Sequence, residues 1–446
     1  MAVALVFVAA GAQAQVIPSP TPPRLGAQDE LDLQARANVL QGSGARALGM
    51  GGAFLARADD ATAASWNPAG LSYLRLPELS AVWTNAHFNS DERLPDGALG
   101  KTDRQHGDTP DFFAATYPIG IKGVTGSAQV SFQRVISFRY QRTIEEFNPL
   151  TAESGGGFDV VALGAGLQVT RWLRVGATLN EWFDGYTQHS VREINTPNQV
   201  GTRTLDNRFR LSAWNTNVGA ILGLSDKVNL GLVAKTGFSG HVTLKRERVD
   251  VVNADPQDRI TANDHTRDDL RLDFPGAVGV GLSFRPWSAV TASLDYTRSF
   301  WSKGQIHNFF TLPKRQLPEE TTPPEGPDFF PDDANGKGLP YPSLIDPQQQ
   351  DTEQIRAGLE YVVIHGSLKL PLRVGYYNDR QYFRSISGAA PRFDALTAGA
   401  GIVVGRVLID AAYIYEHGRY VDFDVHSVHV HSHRVFASLI YRHSRR

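Results

Sequence analysis

Four histidines, His426, His429, His431 and His433, crowd one short stretch, and the last three occupy alternate positions. On a strand that spacing puts three imidazoles on one face, where they could hold Zn²⁺ or Cu²⁺. No carboxylate partner for such a site can be assigned from the sequence, so solvated rim side chains are the simpler reading and no metal is expected. Other reactive patterns are missing. The chain has no Gly-x-Ser-x-Gly, no His-Glu-x-x-His and no cysteine, which removes the spacings for a nucleophile elbow or a zinc protease, and thiolate chemistry with them. Residues 42–52 are glycine-rich, yet no strand–turn–helix unit with an acidic partner frames them as a dinucleotide loop. Asn335-Gly336-Lys337 is no phosphate loop, because Pro331 stands where its first glycine belongs. No catalytic residue and no cofactor is expected. A net charge of −2 over 446 residues gives no reason to expect nucleic acid.

The elements that position these residues are two-faced strands. Val290 to Thr297 reads Val-Thr-Ala-Ser-Leu-Asp-Tyr-Thr, apolar and polar by turns, the period of a strand with unlike faces. Fourteen such segments are expected, near 78–88, 112–119, 126–140, 157–169, 173–186, 209–224, 228–244, 270–284, 289–301, 354–364, 368–377, 394–404, 407–416 and 434–441. Their connections alternate. The short ones are 120–125, 170–172, 225–227, 285–288, 365–367 and 405–406. The long ones are 89–111, 141–156, 187–208, 245–269, 302–353, 378–393 and 417–433. Brief turns on one side, long loops on the other and an even strand count describe an outer-membrane barrel. Past the N-terminus no run of about 20 apolar residues offers a spanning helix. The fold class expected is therefore all-β: a 14-stranded antiparallel transmembrane β-barrel.

One face of each segment is apolar, with Tyr296, Phe300, Trp301, Tyr361, Tyr376, Tyr413 and Tyr415 towards segment ends as interface girdles. Asp295, Arg356, Glu360, Arg373 and Asp410 fall on the opposite face as lumen charges. Arg134 breaks the rule. By parity it shares the lipid face with Val130, Phe132, Ile136 and Phe138, where a cation at mid-depth costs about 2–4 kcal/mol. A bulge or kink is expected there, with a lateral gap or a closed bulge as its two consequences. The candidates for that gap are Gln133, Arg134 and Val135.

Residues 1–14 are expected to be a signal peptide. Met1 to Ala10 is almost wholly apolar and Ala12-Gln13-Ala14 is a small-x-small cleavage site. Residues 15–77 do not alternate and exceed what an anchor needs, so their place is inside the barrel, which then covers 78–446. Gly44-x-x-x-Leu48-Gly49-Met50-Gly51-Gly52-Ala53-Phe54, followed by Asp59-Asp60-Ala61 and Trp66-Asn67-Pro68-Ala69-Gly70-Leu71, resembles the hatch of FadL-type long-chain fatty-acid transporters. Phe274 to Gly281, Phe284-Arg285-Pro286-Trp287, Leu294-Asp295-Tyr296 and Arg373 to Tyr377 are also similar to that family. The resemblance implies a hatch (plug) in the lumen, with Leu48, Met50, Phe54, Trp66, Asn67, Pro68 and Ala69 as hatch or ligand-binding residues. It implies passive uptake of hydrophobic compounds, long-chain fatty acids or aromatic hydrocarbons, with release through the barrel wall. Phe309, Phe310, Phe329 and Phe330 in the 302–353 connection could form a capture groove or pack the loop onto the rim. The expected partners are outer-membrane lipid and lipopolysaccharide and a hydrophobic ligand, with the chain a monomer. A secretion-linked or assembly barrel acting as a docking protein is the alternative. A barrel hydrolase is a third, requiring Ser or His beside an acid near the outer rim.

Overall fold

Alternation dictates a sheet with one face for lipid and one for the lumen, and the chain forms it. The structure is a computed structural model that describes residues 42–443 apart from 122, 146–147, 197–198, 256–257, 309–338, 341–349, 367, 382–388 and 422–425. The wall begins with β1 (Glu78–Arg93), β2 (Leu99–Ile121), β3 (Val124–Ser137) continued by β4 (Tyr140–Glu145), and β5 (Leu150–Gln168). It goes on through β6 (Leu173–Phe183) continued by β7 (Gly185–Thr196), β8 (Gln199–Ser225), and β9 (Val228–Lys235) continued by β10 (Phe238–Asp255). Next come β11 (Asp258–Phe274) continued by β12 (Ala277–Trp287), β13 (Val290–Ser299), and the short β14 (Gln305–Asn308) and β15 (Leu339–Pro340). The circuit ends with β16 (Thr352–His365), β17 (Leu368–Arg380), β18 (Arg392–Val404), β19 (Val407–Val421) and β20 (Ser427–Arg442). Counting interrupted strands once gives fourteen antiparallel staves, closed by β1 against β20 from Glu78↔Arg442 to Arg93↔Ser427.

The two faces separate cleanly. In β13 Leu294 and Tyr296 are exposed, while Ser293, Asp295 and Thr297 between them are buried. Leu79, Phe113, Tyr117, Leu163, Leu359 and Leu439 are likewise exposed on the outer face. So continuous an apolar exterior suits hydrocarbon and not water.

Two expectations are corrected. The connections 89–111, 141–156, 187–208, 245–269 and 417–433 are largely strand, because β1–β2, β4–β5, β7–β8, β10–β11 and β19–β20 run on as hairpin ladders. Above the membrane neither face needs lipid, so polar residues occupy both and the alternation fades while the ladder hydrogen bonds continue. Trp301 is not a girdle residue. The strand stops at Ser299, a 3-10 turn (Trp301–Lys303) follows, and Trp301 is fully buried against Phe274 with ring centroids 5.6 Å apart. Strand parity does not extend past that break.

The breaks lie at neighbouring places in the wall. Phe138 and Arg139 separate β3 from β4, Asp184 separates β6 from β7 at φ 69°, and Pro275-Gly276 separates β11 from β12. Proline has no N–H for the ladder, which explains the last of these. Aromatic side chains fill the lumen at this level.

Residues 42–74 occupy the barrel interior, and Arg75 and Leu76 after them are exposed. The interior stretch forms a helix (Ala45–Gly49), a second helix (Ala63–Trp66) and a 3-10 helix (Pro68–Tyr73), and nearly every residue from Ser43 to Ser72 is buried.

Candidate functional site

The inner segment is held by lumen-facing polar groups. Asp295 on β13 accepts the backbone N–H of Phe54 at 2.7 Å and of Leu55 at 2.9 Å. Arg356 on β16 donates to the Gly52 carbonyl at 3.3 Å, and its guanidinium lies 5.6 Å from the Trp66 ring centre. Glu360 accepts from Arg57 at 2.7 Å and from Arg373 at 2.8 Å, and Arg373 reaches Asp410 at 2.6 Å. The five lumen charges read from the sequence thus point inward: Glu360, Arg373 and Asp410 form one network with Arg57, while Asp295 and Arg356 each bind backbone of the segment. Charges paired inside avoid the penalty of charges facing lipid.

Asn67 is the hub of the segment's second half. Its side-chain N–H groups donate to the carbonyls of Leu55 (2.8 Å), Ala220 (3.2 Å) and Leu232 (3.3 Å), and its Oδ1 accepts from the Ala69 N–H. Pro68 opens the 3-10 helix at its first position, where no N–H is required. Trp66 donates from Nε1 to the Ser43 carbonyl at 2.7 Å, and its indole meets Phe54 edge-on. Leu48 and Met50 are buried in the helix Ala45–Gly49 and just beyond it.

Glycines of the wall let the segment come this close. A Cβ on Gly219 would stand 2.0 Å from Asn67 Oδ1, and one on Gly375 would stand 2.2 Å from the Gly51 nitrogen. Gly176, Gly231 and Gly358 face backbone atoms of Pro68, Leu55 and Met50 at 2.3 Å by the same measure. Only residues without a side chain permit this seat.

The anomaly at Arg134 resolves as a bulge. The β3–β5 register slips between Arg134 and Ile136, so Val135 is the extra residue. Arg134 turns out of the lipid-facing row. Its Nε and Nη2 donate to the two oxygens of Asp159, both at 2.7 Å, and its Nη1 donates to Thr109 Oγ1 at 2.9 Å. The ladder on the other side of the bulge is interrupted. β2 pairs with β3 from Phe112 to Ile121 and with β4 from Thr102 to His106. Among the described residues, 107–111 fall outside both registers.

A cavity lies beside that interruption. It is small, about 30 Å³ and partly open to solvent, and is lined by Ala64 and Ser65 of the inner segment and by wall residues including Gln133, Val135, Val160 and Trp182. Its apolar lining adds Phe112, Ala162 and Phe274. Several of its polar groups satisfy one another, whereas the buried Asn217 Oδ1 has no hydrogen-bond partner among the described residues. Asn180 Nδ2 and Trp182 Nε1 both donate to Asn215 Oδ1, at 2.9 and 2.8 Å, and Lys235 donates to the Ser65 carbonyl at 3.2 Å. Two aromatic clusters lie close by in the lumen, Phe138–Phe158–Tyr186–Phe209 and Trp182–Phe238–Phe274–Trp301, with neighbouring centroids 4.6 to 5.6 Å apart.

Gln133 and Val135 therefore line the cavity, with Arg134 between them. None of Leu48, Met50, Phe54, Trp66, Asn67, Pro68 or Ala69 does. The lining residues that went unnamed in the sequence carry one signal, since Trp182 and Phe274 are large aromatics close to strand breaks. The four histidines do not converge. His426 meets Glu92, His429 meets Ser427, His431 meets Tyr415 and His433 meets Tyr413. Phe309, Phe310, Phe329, Phe330 and the signal-peptide stretch lie outside the described residues.

The model of the BamG family matches residues 42–334, well over half of the chain. No curated protein matches. Among solved structures, a Pseudomonas aeruginosa FadL homologue superposes with TM-score 0.60 at 12% identity, covering 90% of this chain and 98% of that one. The Ralstonia pickettii toluene transporter TbuX gives 0.57 at 14%, covering 91% and 100%. The Pseudomonas putida toluene transporter TodX gives 0.57 at 14%, covering 90% and 98%. The resemblance to FadL-type barrels is borne out as one of fold.

Proposed function

The chain belongs to the BamG family, and from that footing we propose that it is a passive channel for hydrophobic small molecules in the outer membrane of a Gram-negative bacterium. The observation that carries this reading is the position of the cavity. A space lined in equal parts by apolar and polar residues, walled below by the inner segment and on one side by aromatics, abuts the place where β2 leaves one neighbour and has not yet met the next. At about 30 Å³ the space is far smaller than a ligand site of about 300–1,000 Å³, so the inner segment or the neighbouring side chains shift to admit a ligand.

In this reading long-chain fatty acids or aromatic hydrocarbons enter from the loop side and rest against Phe112, Val160, Trp182 and Phe274. The inner segment acts as a hatch that blocks water. The ligand leaves sideways between β2 and β3 at the level of Gln133, Arg134 and Val135. Partition into successively apolar surroundings drives each step, so no cofactor and no energy source is needed. The shared barrel fold with hydrocarbon transporters supports this.

The test is uptake of labelled oleate and labelled toluene by a Gram-negative host that lacks its own channel for them. Expression of the chain should raise the rate for at least one, and Ala162→Trp, which fills the cavity, should return it to the background. Background rates for both compounds with correctly folded wild-type barrel would sink the reading.

A further inference from the structure

Imidazoles stand at one height on the outward faces of three neighbouring strands, with a tyrosine on a fourth. The registers set Tyr415 beside His433, His433 beside His87 and His87 beside His106, across β19, β20, β1 and β2. One step further along, His417 is beside His431. These side chains touch. His87 and His106 stack with centroids 6.0 Å apart, and Tyr415 lies 5.1 Å from His433 and 5.7 Å from His417. The hydroxyl of Tyr413 meets His433 Nδ1 at 2.6 Å, and that of Tyr415 meets His431 Nδ1 at 3.1 Å. Ser432 and Arg434, on either side of His433, are buried, while His87 and His106 are exposed. The row therefore faces away from the lumen.

Its height follows from β20. The outward positions Tyr441, Leu439, Ala437 and Val435 are apolar or aromatic, and His433 is the first that is not. Eight residues of strand measure roughly 27 Å. At a tilt of about 40° that is roughly 20 Å of depth, close to the height of the apolar band of such a barrel. The row sits where hydrocarbon gives way to headgroups, at the end opposite the short turns.

We propose that this row is a docking surface for the phosphate headgroups of anionic membrane lipids, and that its grip tightens on acidification. Tyrosine rings favour the membrane interface. Protonated imidazoles offer N–H donors, and phosphate oxygens are strong acceptors for charged donors. Cross-strand neighbours about 5 Å apart can share one headgroup. Histidine as a side-chain type changes charge between pH 5 and 8. The charged groups facing the row from the strands around it are Arg392 and Asp394 on β18, Arg419 on β19, Asp91 and Arg93 on β1, Arg104 and Asp108 on β2, and Glu145 on β4, which holds Arg104 at 3.1 Å. Four cations against four carboxylates leave the surface near neutral until the imidazoles gain protons. A metal does not account for the cluster, since no group of three or more metal-ligating side chains converges among the described residues.

The experiment uses the full chain in phosphatidylcholine vesicles with a small share of spin-labelled phosphatidylglycerol or spin-labelled phosphatidylcholine. The lipid fraction immobilised by the barrel gives the preference for the anionic headgroup at pH 5.5 and pH 7.5. A several-fold rise at the lower pH is expected for the wild type, a smaller one for His87→Gln with His106→Gln, and none when His431→Gln and His433→Gln are added. The double variant touches neither tyrosine hydroxyl, so its fold is retained even if the quadruple variant fails. A wild-type preference equal at both pH values overturns the proposal, and so does a full response in the double variant. Loss of the preference in millimolar inorganic phosphate overturns it too, because the site would then take free anions and not lipid.

Discussion

Arg134 holds Asp159 with two parallel hydrogen bonds, Nε to Oδ1 and Nη2 to Oδ2, each 2.7 Å long. The same guanidinium reaches Thr109 across the interrupted β2 ladder, so one side chain spans three strands at the bulge. Arg134→Ala leaves a buried carboxylate without its cation, a loss on the order of 3 kcal/mol. Urea unfolding of the reconstituted barrel should show it, with Arg134→Leu plus Asp159→Leu recovering most of the difference. Arg134→Lys keeps the charge and loses the fork, so an intermediate value is expected.

Asp295 anchors the inner segment through the N–H groups of Phe54 and Leu55. Asp295→Ala strips two buried amides of their acceptor, at about 1–3 kcal/mol each. The expected readout is a segment that leaves its seat more often, seen as faster tryptic cleavage after Arg46 and Arg57 and as larger current noise in planar bilayers. Asp295→Asn keeps an acceptor oxygen and should fall between wild type and Ala.

Gly219 and Gly120 form a matched pair. A Cβ at Gly219 strikes Asn67 Oδ1, whereas one at Gly120 meets nothing within 4 Å. Gly219→Ala should displace Asn67 and cost about 1–3 kcal/mol, while Gly120→Ala stays within about 0.5 kcal/mol of wild type. Equal unfolding midpoints for the two variants would contradict the close seat.

Asp351, just ahead of β16, accepts from the Ser302 N–H and hydroxyl and from Arg298. Burial alone would raise this carboxyl, but the hydrogen bonds from Ser302 and Arg298 outweigh it and hold it below the ordinary range. A carboxyl held low in the folded state stabilises it above its unfolded pKa, about 3.9 for aspartate, and the contribution fades as pH falls further. Hydrogen exchange at the Ser302 amide should therefore be protected at neutral pH and lose that protection below about pH 4. Asp351→Asn should exchange several-fold faster at neutral pH and show no such step.

Strand positions were legible because lipid and lumen force opposite chemistry on adjacent residues, as Leu294, Asp295 and Tyr296 show. Arg134 was legible as a fault in that pattern. The hairpin extensions were not, since from Arg192 to Arg203 water bathes the outside and alternation has no cause. The cavity escaped for another reason. Phe112, Val160 and Trp182 come together only through curvature and register, which no local spacing encodes. The glycine seat was hidden similarly. Gly219 and Gly375 are ordinary strand glycines until the atoms opposite them are known. The stacked histidines were half visible, because alternation showed His429, His431 and His433 while His87 and His106 join them from the far end of the chain.

The seat of residues 42–74 also constrains how the molecule can assemble. The segment leads directly into β1, and it rests on glycines contributed by β6 near the start of the circuit and by β16 and β17 near its end. Those glycines seat the segment so closely that an added Cβ would fall 2.2 to 2.3 Å from its backbone, a fit made most directly while the wall closes around it. Encirclement and insertion are then one event, with the late staves wrapping a core already laid down and β20 zipping to β1 last. Such distant contacts form slowly, so trapped species should be open sheets curled around this segment, and not empty rings.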